Sequence, residues 1–337
     1  MGPAGMSGAR DWPEVTIHPS QHPSCLAEQL ARALSSRRLP AKFHYLTPQQ
    51  ARRWLRVHAA YAPSGGMLGA TTAAYGRLFE DLAQRLAPRP VQVIGLGCGG
   101  GQKDALLAKA LARAGCALRY LAVDVGLALV LMAADAVASA APGCKVRRLV
   151  ADLDELDDWR GFLEQGSERG ELQLFCAFGI TPNTDADRLL ERLAGQSSAG
   201  DHLLLSANLY DPGDPLHFLE AILPQYDNAE TRRWLTTFFA DLDWPVTPEE
   251  LLFDLREQES PARIAATLTL MQPFEAAIGS VTIAVPQGTC LDVFSSNRFR
   301  PGDLTGLLER HGFDPGAHRE TATAAEAVWH AERRSQQ

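Results

Sequence analysis

A glycine-rich turn between a strand and a helix constrains this chain more than any other feature of its sequence. The apolar run Val91–Ile94 predicts a strand, and Asp104–Ala114 has the apolar spacing of a helix. Between them lie Gly95, Gly97 and Gly100, in the spacing GxGxxG. Glycines at such a turn let backbone N–H groups approach a polar or anionic ligand closely. The turn therefore predicts a nucleotide-type ligand at the end of the first strand of an α/β sheet.

The alternation of strands and helices continues beyond this turn. Further apolar runs predict strands at Leu118–Val123, Val146–Val150, Leu172–Phe178 and His202–Leu209, with helices at Leu127–Ala141 and Asp185–Ala194. Fully apolar strands alternating with helices are typical of a parallel sheet that is covered on both faces. We therefore expect an α/β fold with a Rossmann-like sheet.

Two parts of the chain depart from this alternation. Residues 11–75 are mainly helical, and residues 210–296 combine helical stretches with strand-like runs. These runs are Arg263–Leu270, Ser280–Val285 and Thr289–Phe294. We expect the two parts to form one α+β substrate-binding or lid domain. Residues 76–209 and 297–337 would form the Rossmann-like domain that binds the cofactor.

Composition excludes several classes of function. Of 337 residues, 46% are hydrophobic and 21% charged, which is typical of a folded chain. Lys and Arg number 32 against 40 Asp and Glu, and no basic stripe stands out, so we expect no nucleic-acid partner. The longest apolar stretch, Val125–Ala138, carries Asp135 and is too short for a bilayer, so we expect no membrane span. Six scattered cysteines without a CxxC pair favour reduced thiols in a cytoplasm and predict no metal site.

Acids at two strand ends narrow the choice of ligand. Asp124 ends the second strand, where a carboxylate can accept hydrogen bonds from ribose hydroxyls. Asp152 and Leu153 end the third strand, where the acid can accept from an adenine amino group and the leucine can cover the ring. A dinucleotide enzyme needs no acid there, so the pair favours S-adenosylmethionine over a nicotinamide cofactor. The plainer alternatives are an ordinary tight turn and solvated acids at the strand ends.

The order of these motifs resembles a known family. The succession IGLGCGGGQKDALL, YLAVDV and LVADLDEL looks like the cofactor motifs of class I S-adenosylmethionine-dependent methyltransferases. More narrowly, the chain resembles the histidine-specific methyltransferases, whose best-known member trimethylates histidine in ergothioneine biosynthesis. Further segments resemble that family over about residues 28–315: LPAKFHYL, LLLSANLYD, QYDNAETRRWL, ARIAATL and GTCLDVFSSNRFRPGDLTGLLERHGF.

The resemblance adds site residues to those read from the turn and the acids. It implies that Lys103 meets the carboxylate of the cofactor. The full set of cofactor candidates is Gly95, Gly97, Gly99, Lys103, Asp124, Asp152 and Leu153. For the amino-acid head of the substrate it implies Asn183, Tyr226 and Tyr61, and Tyr45 matches a tyrosine of the N-terminal segment. Plainer interpretations stay open, with Asn183 as a helix N-cap and Tyr226 as a packing residue.

A late strand departs from the family pattern. Where the family has a glutamate and a serine that hold the imidazole, this chain has Phe294 and Ser296. A phenyl ring cannot accept an imidazole N–H, so we expect a substrate other than histidine. Strand alternation would place Asp292 on the same face, and an acid, a ring face and a hydroxyl suit the flat guanidinium of arginine. The simpler account is that Phe294 bounds a pocket for an apolar side chain while Asp292 faces solvent.

We therefore expect an S-adenosylmethionine-dependent N-methyltransferase that acts on a small free amino acid. Arginine is the first candidate substrate, with Asp292 or Asp227 assisting removal of a proton. The alternatives are a histidine or imidazole methyltransferase, a methyltransferase of a natural-product scaffold, and a non-catalytic cofactor-binding module. A dinucleotide oxidoreductase is the least favoured. The sequence leaves the oligomeric state open.

Overall fold

The computed structural model describes residues 13–61, 70–155, 160–166, 170–210, 213, 215–256, 261–278, 281–321 and 325–335. The strands are β1 (Thr16–Ile17), β2 (Val91–Leu96), β3 (Leu118–Asp124), β4 (Lys145–Val150), β5 (Leu172–Ala177), β6 (His202–Asn208), β7 (Leu251–Arg256), β8 (Ala262–Thr269), β9 (Phe274–Ile278), β10 (Val281–Val285), β11 (Cys290–Arg298), β12 (Phe313–Glu320) and β13 (Glu326–Arg333). The helices are α1 (Pro23–Ser35), α2 (Pro48–Tyr61), α3 (Ala70–Leu86), α4 (Gln102–Arg113), α5 (Leu127–Ala140), α6 (Arg160–Leu163), α7 (Ala186–Gln196), α8 (Pro215–Tyr226), α9 (Ala229–Ala240) and α10 (Pro301–Arg310).

An eight-stranded sheet lies at the centre of the described structure. Its order is β1-β4-β3-β2-β5-β6-β13-β12. Strands β1 to β6 run parallel, β13 is antiparallel to β6, and β12 is antiparallel to β13. The predicted parallel α/β sheet is therefore confirmed, with an antiparallel pair at one edge. The division of the chain into two domains stays a prediction. The N-terminal segment, which was assigned to the second domain, adds strand β1 to the central sheet.

Both faces of the central sheet are buried, as its apolar strands require. On one face Leu190 of α7 and Leu308 of α10 pack against the strands. On the other face Leu82 of α3, Leu107 of α4 and Val130 of α5 do so. Each of these five side chains is at most 1% exposed. Burial of this apolar surface fixes the carboxyl ends of the parallel strands at one common edge.

A second layer is built from the segments that break the alternation. It contains a three-stranded antiparallel sheet, β11-β8-β7, and the hairpin β9–β10. Leu34 of α1 and Trp234 and Phe239 of α9 share a core with Leu268 of β8. Strands β1, β7, β9, β12 and β13 are additional to those predicted. No helix within the described ranges is both long and apolar enough to cross a membrane.

Strand β11 carries a β-bulge at the point where substrate recognition was expected. Asp292 pairs with Thr267, whereas Phe294 pairs with Ala266, so two residues of β11 span one residue of β8. A bulge interrupts the alternation of side chains between the two faces of a strand. Asp292 and Phe294 therefore lie on opposite faces, and the expectation that they share one is wrong. Phe294 and Ser296 do share a face, beyond the bulge.

Candidate active site

A cavity of about 1250 Å³ opens at the carboxyl ends of β2, β3, β5 and β6 and extends to β11. Most of the predicted site residues line it: Tyr45, Tyr61, Gly97, Gly99, Lys103, Asp124, Asp152, Leu153, Asn183, Tyr226, Phe294 and Ser296. Cofactor candidates and substrate candidates therefore meet in one space. Gly95, Asp227 and Asp292 are not among the lining residues.

The glycine turn is tightly packed against two helices. Gly99 and Gly101 have φ values of +52° and +74°, in the left-handed region that favours glycine. A Cβ on Gly99 would lie 2.7 Å from the ring of Trp54 in α2, and one on Gly101 would lie 2.5 Å from the Cα of Ala133 in α5. The sequence GCGGG therefore lets the backbone of the turn reach the cavity while α2 and α5 close on it.

Asp124 is the buried acid of the turn. Its carboxylate accepts hydrogen bonds from the N–H groups of Gly99 and Gly126, each at 3.0 Å. Burial raises the pKa of Asp124 to about 6, against the opposing effect of these backbone N–H groups. Each carboxylate oxygen has two lone-pair sites, so both can still accept from a ligand hydroxyl.

The raised pKa of Asp124 predicts a pH-dependent affinity for a ribose-bearing ligand. Ribose hydroxyls donate to the ionised carboxylate, so binding favours the ionised form. As pH falls through about 6, the free carboxyl takes up a proton that must be lost on binding. We expect the affinity for S-adenosylhomocysteine to decline below that pH, by up to about tenfold per pH unit. Calorimetric titration from neutral to acidic pH measures this, and Asp124→Asn should flatten the profile. An equally steep decline in that variant would assign the proton to another group.

Asp152 has a partner that the sequence did not suggest. Its carboxylate forms a close ion pair with Lys42, whose Nζ also donates to Gln29 Oε1 at 2.7 Å. The N–H of Asp154 donates to the other oxygen of Asp152 at 3.0 Å. The acid expected to meet adenine is thus linked to the N-terminal segment, while Leu153 lines the cavity beside it.

Lys103 lies in the first turn of α4 and is neutralised by a buried acid. Its Nζ donates to Glu326 Oε1 at 2.7 Å and to the hydroxyl of Tyr75 at 3.0 Å. Burial acts to raise the pKa of Glu326, but Lys103 and Tyr75 hold it below its usual value. His58, which lines the cavity, has its pKa lowered to about 4 by burial and by Lys103.

Hydroxyl and amide groups cluster at the β11 side of the cavity. The hydroxyl of Tyr226 lies 3.0 Å from Ser296 Oγ, and Asn208 Nδ2 lies 3.2 Å from both oxygens. Arg298 donates to the Tyr226 hydroxyl at 2.9 Å. Because Tyr226 can thus accept from Arg298 and Asn208, its own proton is available for Ser296. The family resemblance did not single out Asn208 or Arg298 as site residues.

Phe294 forms an aromatic wall beside this polar cluster. Its ring lies 6.0 Å from that of Tyr226 and 5.9 Å from that of Trp234, centroid to centroid. Tyr45 contacts Trp234 at 5.4 Å and Trp54 at 5.6 Å, which continues the wall towards the glycine turn. The pKa of Tyr45 is raised by burial and by Asp124, so its hydroxyl remains protonated.

Asn183 lines the cavity but does not cap the following helix. It ends a short 3-10 helix, Thr181–Asn183, and its Nδ2 donates to the carbonyl of Gly179 at 3.2 Å. Asp185 is the N-cap of α7 instead, accepting from the N–H of Asp187 at 3.0 Å. The interpretation of Asn183 as an N-cap is therefore wrong, and its side chain borders the cavity.

The two candidate acids for proton removal are held away from the cavity. Asp292 accepts two hydrogen bonds from the guanidinium of Arg256, at 2.7 and 3.2 Å, and these lower its pKa. Asp227 pairs with Arg232 at 2.6 Å. Both acids link parts of the second layer, and neither is among the residues that line the cavity. Within the described ranges, no group of three or more His, Cys, Asp or Glu residues could hold a metal ion.

The sheet order and the glycine turn with its buried acid define a class I S-adenosylmethionine-dependent methyltransferase, so the protein is an enzyme and its cofactor is S-adenosylmethionine. The family model described as histidine-specific methyltransferase, SAM-dependent, matches residues 76–331. The chain belongs to this family. No curated protein matches it in sequence.

Solved structures with a similar fold include several methyltransferases. Magnesium protoporphyrin IX methyltransferase from Synechocystis PCC 6803 is 13% identical, with 85% of this chain and 95% of that chain covered and a TM-score of 0.43. Human N-acetylserotonin methyltransferase is 14% identical, with 94% and 69% covered and a TM-score of 0.44. Burkholderia thailandensis 1,6-didemethyltoxoflavin-N1-methyltransferase is 14% identical, with 85% and 91% covered and a TM-score of 0.38. Likeness at this level says nothing about the substrate.

Proposed function

We propose that the protein transfers a methyl group from S-adenosylmethionine to a nitrogen of a free amino acid with an apolar or aromatic side chain. The observation that carries this proposal is the wall formed by Phe294 between Tyr226 and Trp234, with the Ser296 hydroxyl on the same strand face. A ring that is 7% exposed suits an apolar partner better than a charged one.

The cofactor candidates suit a nucleoside with an amino-acid end. The backbone of Gly97 and Gly99 would approach the methionine end, and Asp124 would accept from the ribose hydroxyls. Leu153 would cover the adenine ring. Asp152 retains lone-pair capacity for the adenine amino group, although it is also paired with Lys42.

The chain's own groups would act mainly by positioning and by excluding water. When bound, S-adenosylmethionine supplies an electrophilic methyl group on a positively charged sulfur. Tyr226, Asn183 and Tyr61 would hold the amino-acid head, whose ammonium gives up a proton to water before transfer. The aromatic wall would orient the side chain, so that the lone pair of the α-nitrogen is aligned with the methyl group, and S-adenosylhomocysteine is the leaving group. Neither Asp227 nor Asp292 reaches this space, so we assign no general base among the acids first considered.

Arginine is the second candidate substrate. The ring face of Phe294 can stack on a guanidinium, which is the observation in its favour. The acid expected to pair with that guanidinium, Asp292, is engaged by Arg256 on the opposite face of β11. Histidine is weaker still, because the family glutamate is replaced by Phe294. A natural-product scaffold remains a further candidate, since a cavity of about 1250 Å³ exceeds what a cofactor pocket of ordinary size needs. We propose the cytoplasm as the compartment, because six scattered cysteines without a CxxC pair favour reduced thiols.

Incubation with labelled S-adenosylmethionine and each of the twenty amino acids, read by mass spectrometry, tests the proposal. We expect a methylated product from an amino acid with an apolar or aromatic side chain, and slower or no transfer to histidine. Transfer to arginine alone would favour the second candidate, and transfer to histidine alone would contradict the argument from Phe294. Tight binding of S-adenosylhomocysteine without transfer to any amino acid would favour a scaffold substrate.

A further inference from the structure

Glu326 is a buried carboxylate in the cavity wall that is only partly satisfied. It begins β13, is 3% exposed, and lines the cavity. Oε1 accepts from Lys103 and from the hydroxyl of Tyr75. Among the residues that the structure describes, none donates a hydrogen bond to Oε2, although this oxygen is buried. A buried acceptor without a donor costs free energy, so this oxygen is suited to a donor that arrives with a ligand.

The position of Glu326 connects the two halves of the cavity. Glu326 lies directly opposite Asn208 in the β13–β6 ladder, so their side chains are neighbours on one face of the sheet. Asn208 contacts the hydroxyls of Tyr226 and Ser296 on the substrate side. Lys103 comes from the first turn of α4, directly after the glycine turn on the cofactor side.

A lysine beside a carboxylate with a free oxygen complements a zwitterion. We propose that Glu326 accepts a hydrogen bond from the ammonium of an α-amino-acid group, while Lys103 faces the carboxylate of the same group. Two ligands of the reaction carry this group: the methionine end of the cofactor and the amino-acid substrate. The amino-acid substrate is a source only if the proposed function is correct. The methionine end requires only that the protein binds its cofactor.

The competing account is that Glu326 only neutralises and orients Lys103. Glu326→Gln separates the two accounts, because the amide oxygen can still accept from Lys103 while the negative charge is lost. Glu332→Gln is the matched control, since Glu332 is an exposed acid of the same strand. S-adenosylhomocysteine and 5′-methylthioadenosine form a matched pair of ligands, since the latter lacks the amino-acid end.

Calorimetric titration of the purified full chain provides the test. If the cofactor is the source, Glu326→Gln binds S-adenosylhomocysteine at least tenfold more weakly and 5′-methylthioadenosine unchanged. If the substrate is the source, S-adenosylhomocysteine binds normally, and the saturated enzyme loses at least tenfold in affinity for L-phenylalanine or L-arginine. Unchanged affinity in both arms, or tighter binding of S-adenosylhomocysteine, would overturn the proposal in favour of the competing account.

A second variant covers the case in which Glu326→Gln does not fold. Glu326→Asp keeps the charge beside Lys103 but withdraws the carboxylate by one methylene, so we expect the same loss of affinity for the same ligand. Thermal melting of both variants reports folding. Methyl transfer by the wild-type enzyme is measured separately, so failure of the proposed substrate class leaves the cofactor arm of this test intact.

Discussion

Asp124→Ala is expected to bind S-adenosylhomocysteine about a hundredfold more weakly than the wild-type enzyme. The substitution removes charge-assisted hydrogen bonds to the ribose, each of which contributes roughly 1.5–3 kcal/mol. It also leaves the N–H groups of Gly99 and Gly126 without their acceptor, which loosens the turn that meets the ligand. Calorimetric titration measures the loss.

Asp135→Ala is the matched control for this experiment. Asp135 is an exposed acid on α5, so its removal should leave the affinity unchanged. Retention of wild-type affinity by Asp124→Ala, with thermal unfolding showing an intact fold, would remove Asp124 from the cofactor site.

Phe294→Ala is expected to lower kcat/KM for the methylated amino acid by about ten- to a hundredfold. Loss of a buried phenylalanine removes the wall that orients the side chain and costs roughly 3–5 kcal/mol of folding free energy. Because that cost lowers stability as well, kinetics should be measured well below the melting temperature. Binding of S-adenosylhomocysteine should change little, which separates the substrate wall from the cofactor site.

Asp292→Asn gives the comparison that decides between the two substrate candidates. Asp292 is paired with Arg256 on the opposite face of β11, so we expect kcat/KM to stay within about twofold of wild type. If arginine is the substrate and Asp292 binds it, the same variant should lose roughly 1–3 kcal/mol of binding free energy. A large rise in KM would therefore restore the arginine interpretation.

The α/β sheet could be predicted from the sequence because its strands are continuous apolar runs. Strand β3 was expected at Leu118–Val123 and is found at Leu118–Asp124. Strand β12, with the sequence FDPGAHRE, has no such pattern because six of its eight residues are polar, proline or glycine. It forms by pairing with β13 at the edge of the sheet, and only tertiary structure provides that partner.

The candidate site could be predicted where the chain is locally constrained. The glycine turn and Asp124 are fixed by a strand, a turn and a helix that follow one another, so their neighbourhood is visible in sequence. Glu326 and Lys42 reach the cavity from distant segments and carry no local signal. The prediction that Asp292 shares a face with Phe294 fails for a different reason. Strict alternation of side chains ends where a bulge adds one residue, and no residue type in β11 indicates the bulge.

The bulge in β11 also bears on how substrate range could change during evolution. It shifts the alternation of side chains in the cavity wall by one residue. Inserting one residue into β8 between Ala266 and Thr267 would give Val293 a partner, restore regular pairing and place Asp292 on the face of Phe294 and Ser296. A single codon gained in the neighbouring strand would thus add an acid to the apolar wall without altering any residue of β11. Enzymes of this architecture could in this way diverge in specificity through the length of one strand.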